Sequence, residues 1–256
     1  MCALLTTGIF NVLLPRISLI VLLLCCSAAN AFTGSESCRG CHADEYTAWQ
    51  GSHHDLAMQL PNEDTVLGDF DNTSFTYNGI TTRFFRRDDK FIVNTDGEDG
   101  ELQDFEVAYV FGVEPLQQYL LPLSRGRLQA LSIAWDSRPA EEGGQRWYHL
   151  YPEESIDYKD PLHWTGTYQN WNTSCAECHS TDLKKNYTAA TRSFDTQFEE
   201  LNVGCEACHG PGDKHEALAR ENKLQDVENG GFPTALAQRG TWSLAENAPI
   251  AQRTSA

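Results

Sequence analysis

The rhythm of apolar and polar positions changes repeatedly along this chain. Residues 17–26, "ISLIVLLLCC", are an apolar run of ten broken only by Ser18, preceded by a single charge, Arg16, and followed by "SAANA". A run of this length falls short of the ~20 residues that span a bilayer. The run with its small-residue end fits a secretory signal peptide covering residues 1–31, cut after Ala31. The period then shortens to two. "FTYNGITTRFF" (75–85) sets Asn78-Gly79 between β-rich arms, a hairpin signal. "KFIVNTDGEDG" (90–100) is a strand running into a turn. Val107, Tyr109 and Phe111 alternate on one face of the next strand, and Leu131, Ile133 and Trp135 on one face of another. "QRWYHLY" follows, with Trp147, His149 and Tyr151 alternating. Together these predict about six antiparallel strands over 65–151. Helical spacing is confined to the flanks. "YTAWQGSHHDLAM" (46–58) predicts a helix weakened by Gly51, and "DKHEALARENKLQDVEN" (213–229) predicts a helix restarting after Gly210-Pro211-Gly212. Residues 230–256 have neither period nor cap, as expected if the natural chain continues past residue 256.

Composition narrows the picture. The formal charge is −17 over 256 residues, and loss of Arg16 with the leader makes it −18. A surface this acidic does not bind nucleic acid through its bulk charge. It favours solubility, and it can steer a basic redox partner. Export removes Cys2, Cys25 and Cys26, so six of the nine cysteines remain. All six sit in one repeated pattern: "CRGCH" (38–42), "CAECH" (175–179) and "CEACH" (205–209).

C-x-x-C-H is the attachment pattern of c-type haem. Two thiols add to the two vinyl groups, the spacer lets one turn present both sulfurs, and the next residue becomes the proximal iron ligand. The expected attachment residues are Cys38, Cys41, Cys175, Cys178, Cys205 and Cys208, and the proximal ligands are His42, His179 and His209. Three covalently attached haems follow. A zinc ribbon wants its C-x-x-C pairs about 15–20 residues apart, but 26 residues separate Cys178 from Cys205, and zinc gives no reason for a His after every pair.

Distal ligands are less local. Met58 is the one methionine left after the leader, and His53, His54, His149, His163 and His215 are the non-motif histidines. His54 shares a helical face with Met58 if 46–58 is one helix, with His53 as the alternative. His215 follows its nearest proximal His too closely to wrap the same haem, which points it to a neighbouring one. His163 lies in "DPLHWTGTYQNW", between two tryptophans that can pack on porphyrin, whereas His149 reads equally as ligand or core. Motifs 2 and 3 start 30 residues apart, which suggests a close pair, while 132 residues separate His42 from Cys175.

The expected fold is α+β and irregular: short helices and loops around three haems, with an inserted antiparallel β region. Its parts are a haem-binding segment over 32–64, the β insert over 65–151, a second haem-binding segment over 152–229, and the tail.

The stretches "SCRGCHADEYTAWQGSHHDLAM", "SCAECHSTDLKKNY" and "VGCEACHGPGDKH" resemble multihaem c-type cytochromes of the cytochrome c-554 family. "FGVEPLQQYL", "RLQALSIAWD", "WYHLYPEE" and "DPLHWTG" resemble its longer members, which add tetratricopeptide repeats after the haem region. The resemblance covers nearly all of 36–215, and it implies an exported electron-transfer protein, periplasmic or extracellular, without a membrane anchor after cleavage. It also implies distal ligands from the W-x-x-S-x-H stretch (Trp49, Ser52, His54) and the G-P-G-x-x-H stretch (Gly210, Pro211, Gly212, His215). A fourth motif and the tetratricopeptide region are missing from these residues. The favoured reading is therefore a carrier relaying electrons between redox partner proteins. The alternative is a nitrite or hydroxylamine redox enzyme with one open haem; no C-x-x-C-K variant marks one.

Overall fold

A computed structural model describes residues 31–233. The expected leader, its cleavage site and most of the expected tail lie outside these residues. Among the described residues no helix is long and apolar enough to cross a membrane.

The β region is larger than its pattern suggests. Among the described residues ten strands form two antiparallel sheets. The four-stranded sheet is a meander of β2 (Thr73–Tyr77), β3 (Ile80–Arg87), β4 (Lys90–Asp96) and β5 (Leu102–Glu106). Its first hairpin closes through Asn78 and Gly79, whose φ values of 47° and 81° are those of a tight two-residue turn, with Tyr77 facing Ile80 across it. The larger sheet runs β1 (Met58–Gln59), β6 (Tyr109–Phe111), β7 (Leu116–Leu123), β9 (Ile133–Asp136) and β10 (Arg146–His149), with β8 (Arg127–Ala130) pairing the far end of β7.

The sheets face each other across an aromatic core. Phe84 of β3 stacks on Trp147 of β10 with centroids 3.6 Å apart. Phe70 meets Phe84, Phe91, Tyr119 and Trp147 edge-on at 5.2 to 5.6 Å, the favoured geometry for ring quadrupoles. Leu131, Ile133 and Trp135 all enter this core, as their alternation predicts, although the single strand expected there breaks at Leu131 and Ser132 into β8 and β9. The alternation through Val107 does not persist. Val107 and Val110 face the sandwich, whereas Tyr109 and Phe111 face a second core on the other side of the larger sheet, because the strand breaks between Glu106 and Tyr109. β7 divides its side chains in the same way: Tyr119 and Leu121 go to the sandwich, Leu120 to the second core. That second core, Met58, Phe111, Leu120, Ala130, Trp171 and Ala176 with Cys175 against it, seats motif 2 on the sheet.

Outside the sheets the elements are short. They are α1 (Ser35–Cys38), α2 (Ala43–Trp49), α3 (Trp171–Ser174), α4 (Ala176–His179), α5 (Cys205–His209) and α6 (Asp213–Arg220). The helix expected through Met58 ends instead at Trp49. Gly51 takes φ 71°, and Met58 is a strand residue opposite Phe111, 1% exposed. His54 and Met58 therefore share no helical face, and Met58 is core packing.

His149 illustrates a cost of the interior. It is buried, stacks on Tyr77 at 3.6 Å and lines a small cavity with Asp96 and His163. Burial holds its pKa below the ordinary value, with nearby His163 adding to the effect. The unfolded chain thus binds the proton more readily than the folded one. Stability from this group is complete above about pH 6.5 and falls as pH drops below it. Acid unfolding of His149→Gln is expected to show a shallower loss in that window, measured by urea titrations at successive pH values.

Candidate functional site

The three C-x-x-C-H motifs converge on one short stretch, residues 200–204, although they lie far apart in sequence. The Glu200 carboxylate accepts from the Ser35 N–H and from Ser35 Oγ, both at 2.9 Å, which holds α1 of motif 1. Asn202 donates to Asp55 at 2.8 Å. Val203 N–H donates to the His54 carbonyl at 3.1 Å, and the Val203 carbonyl accepts from Trp49 Nε1 at 2.9 Å. Gly204 N–H donates to Thr181 Oγ1 at 2.9 Å, which ties in the end of motif 2. The chain from Thr181 to Glu200 makes this possible by folding back as an irregular antiparallel ribbon, with Thr181 opposite Glu200 and Lys184 opposite Gln197.

Motif 1 lies directly on motif 3. Cys205 N–H donates to Ser35 Oγ at 2.8 Å. Glu206, the first spacer of motif 3, is 3% exposed, and its carboxylate accepts from the N–H groups of Thr33, Gly34 and Gly212. One buried side chain thus fastens the segment before motif 1 and the Gly-Pro-Gly turn to motif 3. Burial and then the neighbouring Cys205 thiol push the Cys38 thiol up to about 11, so sulfurs of different motifs are neighbours. The interval of 30 residues suggested motifs 2 and 3 as the pair; the fold adds motif 1 to motif 3, because a local interval carries no information about long-range packing. None of the six motif cysteines is in a disulfide.

The histidines divide into two groups. His179 Nδ1 hydrogen-bonds the Ala57 carbonyl at 3.1 Å, and its ring meets the edge of Phe111. His215 Nδ1 does the same with the Gly230 carbonyl at 2.8 Å, beside Phe232 at 4.6 Å. A carbonyl on Nδ1 fixes the tautomer and leaves Nε2 as the donor atom for a metal. His42 and His215 are neighbours, with ring centroids 6.1 Å apart and planes 30° from parallel. That separation is close to the roughly 6 Å between two imidazoles bonded end-on at about 2 Å to one iron. His53 and His54 are exposed on the loop fastened beside motif 3. His209 is in ring contact with Phe232, which also stacks on His215.

His163 is placed differently from its expected distal role. It is buried in the β region, with Nδ1 at 2.8 Å from Thr165 Oγ1 and Nε2 at 3.2 Å from Asp96 Oδ2. Both ring nitrogens are thereby committed, and Trp164 is fixed by its own indole bond to the Asp96 carbonyl. His149 also spends Nδ1, on the Tyr151 N–H at 3.1 Å. Sequence reasoning missed Glu200 and Glu206; a carboxylate inside a C-x-x-C-H spacer is the one signal that could have drawn attention to Glu206.

Comparison with known proteins agrees with the motif reading. Residues 37–73 and 142–210 match the family described as cytochrome c554 and c-prime. These ranges hold all three motifs and leave out most of the sandwich. None of the curated proteins matches the chain. Among solved structures it is similar to the outer cell wall cytochrome OcwA, at 21% identity and TM-score 0.44, covering 74% of this chain and 34% of that one. It is also similar to the undecahaem cytochrome from the S-layer of Carboxydothermus ferrireducens, at 21% identity and TM-score 0.44, covering 73% and 22%. The chain thus spans 34% and 22% of the lengths of these two proteins.

Proposed function

We propose that this chain, which matches the cytochrome c554 and c-prime family over residues 37–73 and 142–210, is an exported carrier that relays electrons through three covalently bound c-type haems. Cys38 and Cys41, Cys175 and Cys178, and Cys205 and Cys208 are the attachment pairs, with His42, His179 and His209 as proximal ligands. His215 is the distal ligand of the haem on motif 1, and His54 that of the haem on motif 3. His163 and His149 are assigned to the sandwich interior, not to iron. Redox partner proteins supply and remove the electrons.

The observation that carries this reading is the His42–His215 pair. Two histidines 173 positions apart in sequence are held at the separation of two axial ligands, and the distal one is oriented through Nδ1. An iron ligated on both faces changes oxidation state without taking a substrate, which suits a carrier. The chain's own part is to hold the imidazoles in one orientation and to keep the motifs close by the hydrogen bonds around 200–204.

Two measurements on the purified full-length protein test the proposal. Its intact mass is expected to exceed the polypeptide by three haems that resist acid–acetone extraction. Its ferric paramagnetic resonance spectrum is expected to be predominantly low-spin. Zinc in place of iron would end the haem reading, and turnover of nitrite or hydroxylamine at enzymatic rates would end the carrier reading.

A further inference from the structure

A basic cleft in an acidic protein calls for a ligand. The chain has 36 acidic against 19 basic residues, yet a cleft of ≈ 730 Å³ is lined by Arg125, Arg127, Lys185 and Arg192 and by a single carboxylate, Glu98. Arg127 is held by Glu98 at 2.9 Å, and Lys185 lies 3.4 Å from Glu177. Arg125 and Arg192 are exposed and form no ion pair among the described residues. The surplus positive charge is therefore available to an incoming anion.

The cleft is built, not incidental. Asn172 is buried and receives the Leu128 N–H at 2.8 Å, while its amide donates to the Gly126 carbonyl and to Thr196. The Phe194 N–H donates to the Arg125 carbonyl at 2.9 Å. The approach is so close that a Cβ on Gly126 would fall 2.1 Å from the Phe194 carbonyl oxygen, so glycine is required there. These bonds fix the ribbon that carries Lys185 and Arg192 against the turn that carries Arg125. The cleft also borders motif 2. Thr173, in its wall, belongs to α3, which ends at Ser174 immediately before Cys175. Glu177, the partner of Lys185, is a spacer of that motif.

We propose that this cleft binds a small multivalent anion and is where the chain exchanges electrons with anionic low-molecular-weight redox complexes, next to motif 2. A concave site of this volume suits a small ligand, whereas a flat patch suits a protein face. The redox role rests on the electron-carrier reading; anion binding does not. The exchange passes one electron from ferrous haem to an acceptor such as hexacyanoferrate(III). It yields ferric haem and hexacyanoferrate(II), with no bond made or broken and no proton moved.

The test uses the haem-loaded protein and an Arg125→Asn/Arg192→Asn variant. Both positions have left-handed backbone, with φ 65° and 50°, which Asn tolerates, so the fold is kept. Hexacyanocobaltate(III), a redox-inert trianion, reads binding alone. Calorimetry is expected to give one site in the unmodified protein, lost in the variant and weakened by salt. With the chemically reduced protein, the rate to hexacyanoferrate(III) is expected to fall about 10-fold in the variant at low ionic strength, while the rate to cationic hexaammineruthenium(III) changes less than about 2-fold. Equal cobaltate binding in the two proteins overturns the anion site. Binding that is lost while the hexacyanoferrate rate holds overturns the redox role only. No cobaltate binding to the unmodified haem-loaded protein overturns both, because the cleft would then already be filled by the carboxylates of a resident haem.

Discussion

His215→Ala is expected to convert one haem of this protein from low-spin to high-spin without detaching it. The haem stays because thioether bonds, not axial ligation, attach it. The iron loses the sixth ligand because His215 is the histidine whose ring lies 6.1 Å from that of His42. The ferric spectrum should gain one high-spin component, cyanide should bind stoichiometrically to that haem, and added imidazole should restore the low-spin signal. The hydrogen bond from His215 Nδ1 to the Gly230 carbonyl makes a second arm of the test. Phe232→Ala removes the ring stacked on His215 at 4.6 Å but leaves that bond, so the spectrum should stay low-spin. If His215→Ala keeps every haem low-spin and cyanide-inert, the His42–His215 assignment is wrong.

The second large effect belongs to Glu206. Its carboxylate receives three backbone N–H groups, from Thr33, Gly34 and Gly212, inside a buried site. Glu206→Ala leaves all three donors without a partner, and each buried unsatisfied donor costs about 1–3 kcal/mol, so the loss should reach roughly 3 kcal/mol or more. Glu206→Gln retains one acceptor oxygen but turns an amide N–H₂ toward backbone donors, and should fall between. Urea unfolding measures the stability. Limited proteolysis measures the local consequence, since freeing Thr33 and Gly34 should expose the chain before motif 1. Because Gly212 leads into α6 and His215, the high-spin fraction should rise in Glu206→Ala even before global unfolding. An alanine variant as stable and as protease-resistant as the parent would show that the carboxylate does not fasten these segments.

The motifs were legible in the sequence because their pattern is local: two thiols and an imidazole fall within five residues. The sandwich was legible for a related reason. Period-two alternation places Leu131, Ile133 and Trp135 in one core, and Asn78-Gly79 closes its hairpin. The split of β6 and β7 between two cores was not legible, since residues 109–111 and 119–121 are apolar on both faces. Nor was the fate of Met58, because Gly51 leaves the local preference between helix and turn undecided until Phe111 pairs with the strand.

By itself, then, the amino-acid order determined where the C-x-x-C-H motifs lie, how many there are and which stretches alternate as strands. Only the tertiary structure decided which histidines meet. His42 and His215 come together because Glu206 and Glu200 bind backbone N–H groups some 170 residues away, and His163 is hydrogen-bonded to Asp96 and Thr165. It likewise gathered Arg125 and Arg192 into one cleft of a chain whose total charge is strongly negative. Covalent spacing and side-chain period act between near neighbours in the chain. Ligand geometry and local electric field depend on distances in space, and those follow from the packing of segments that the sequence keeps far apart.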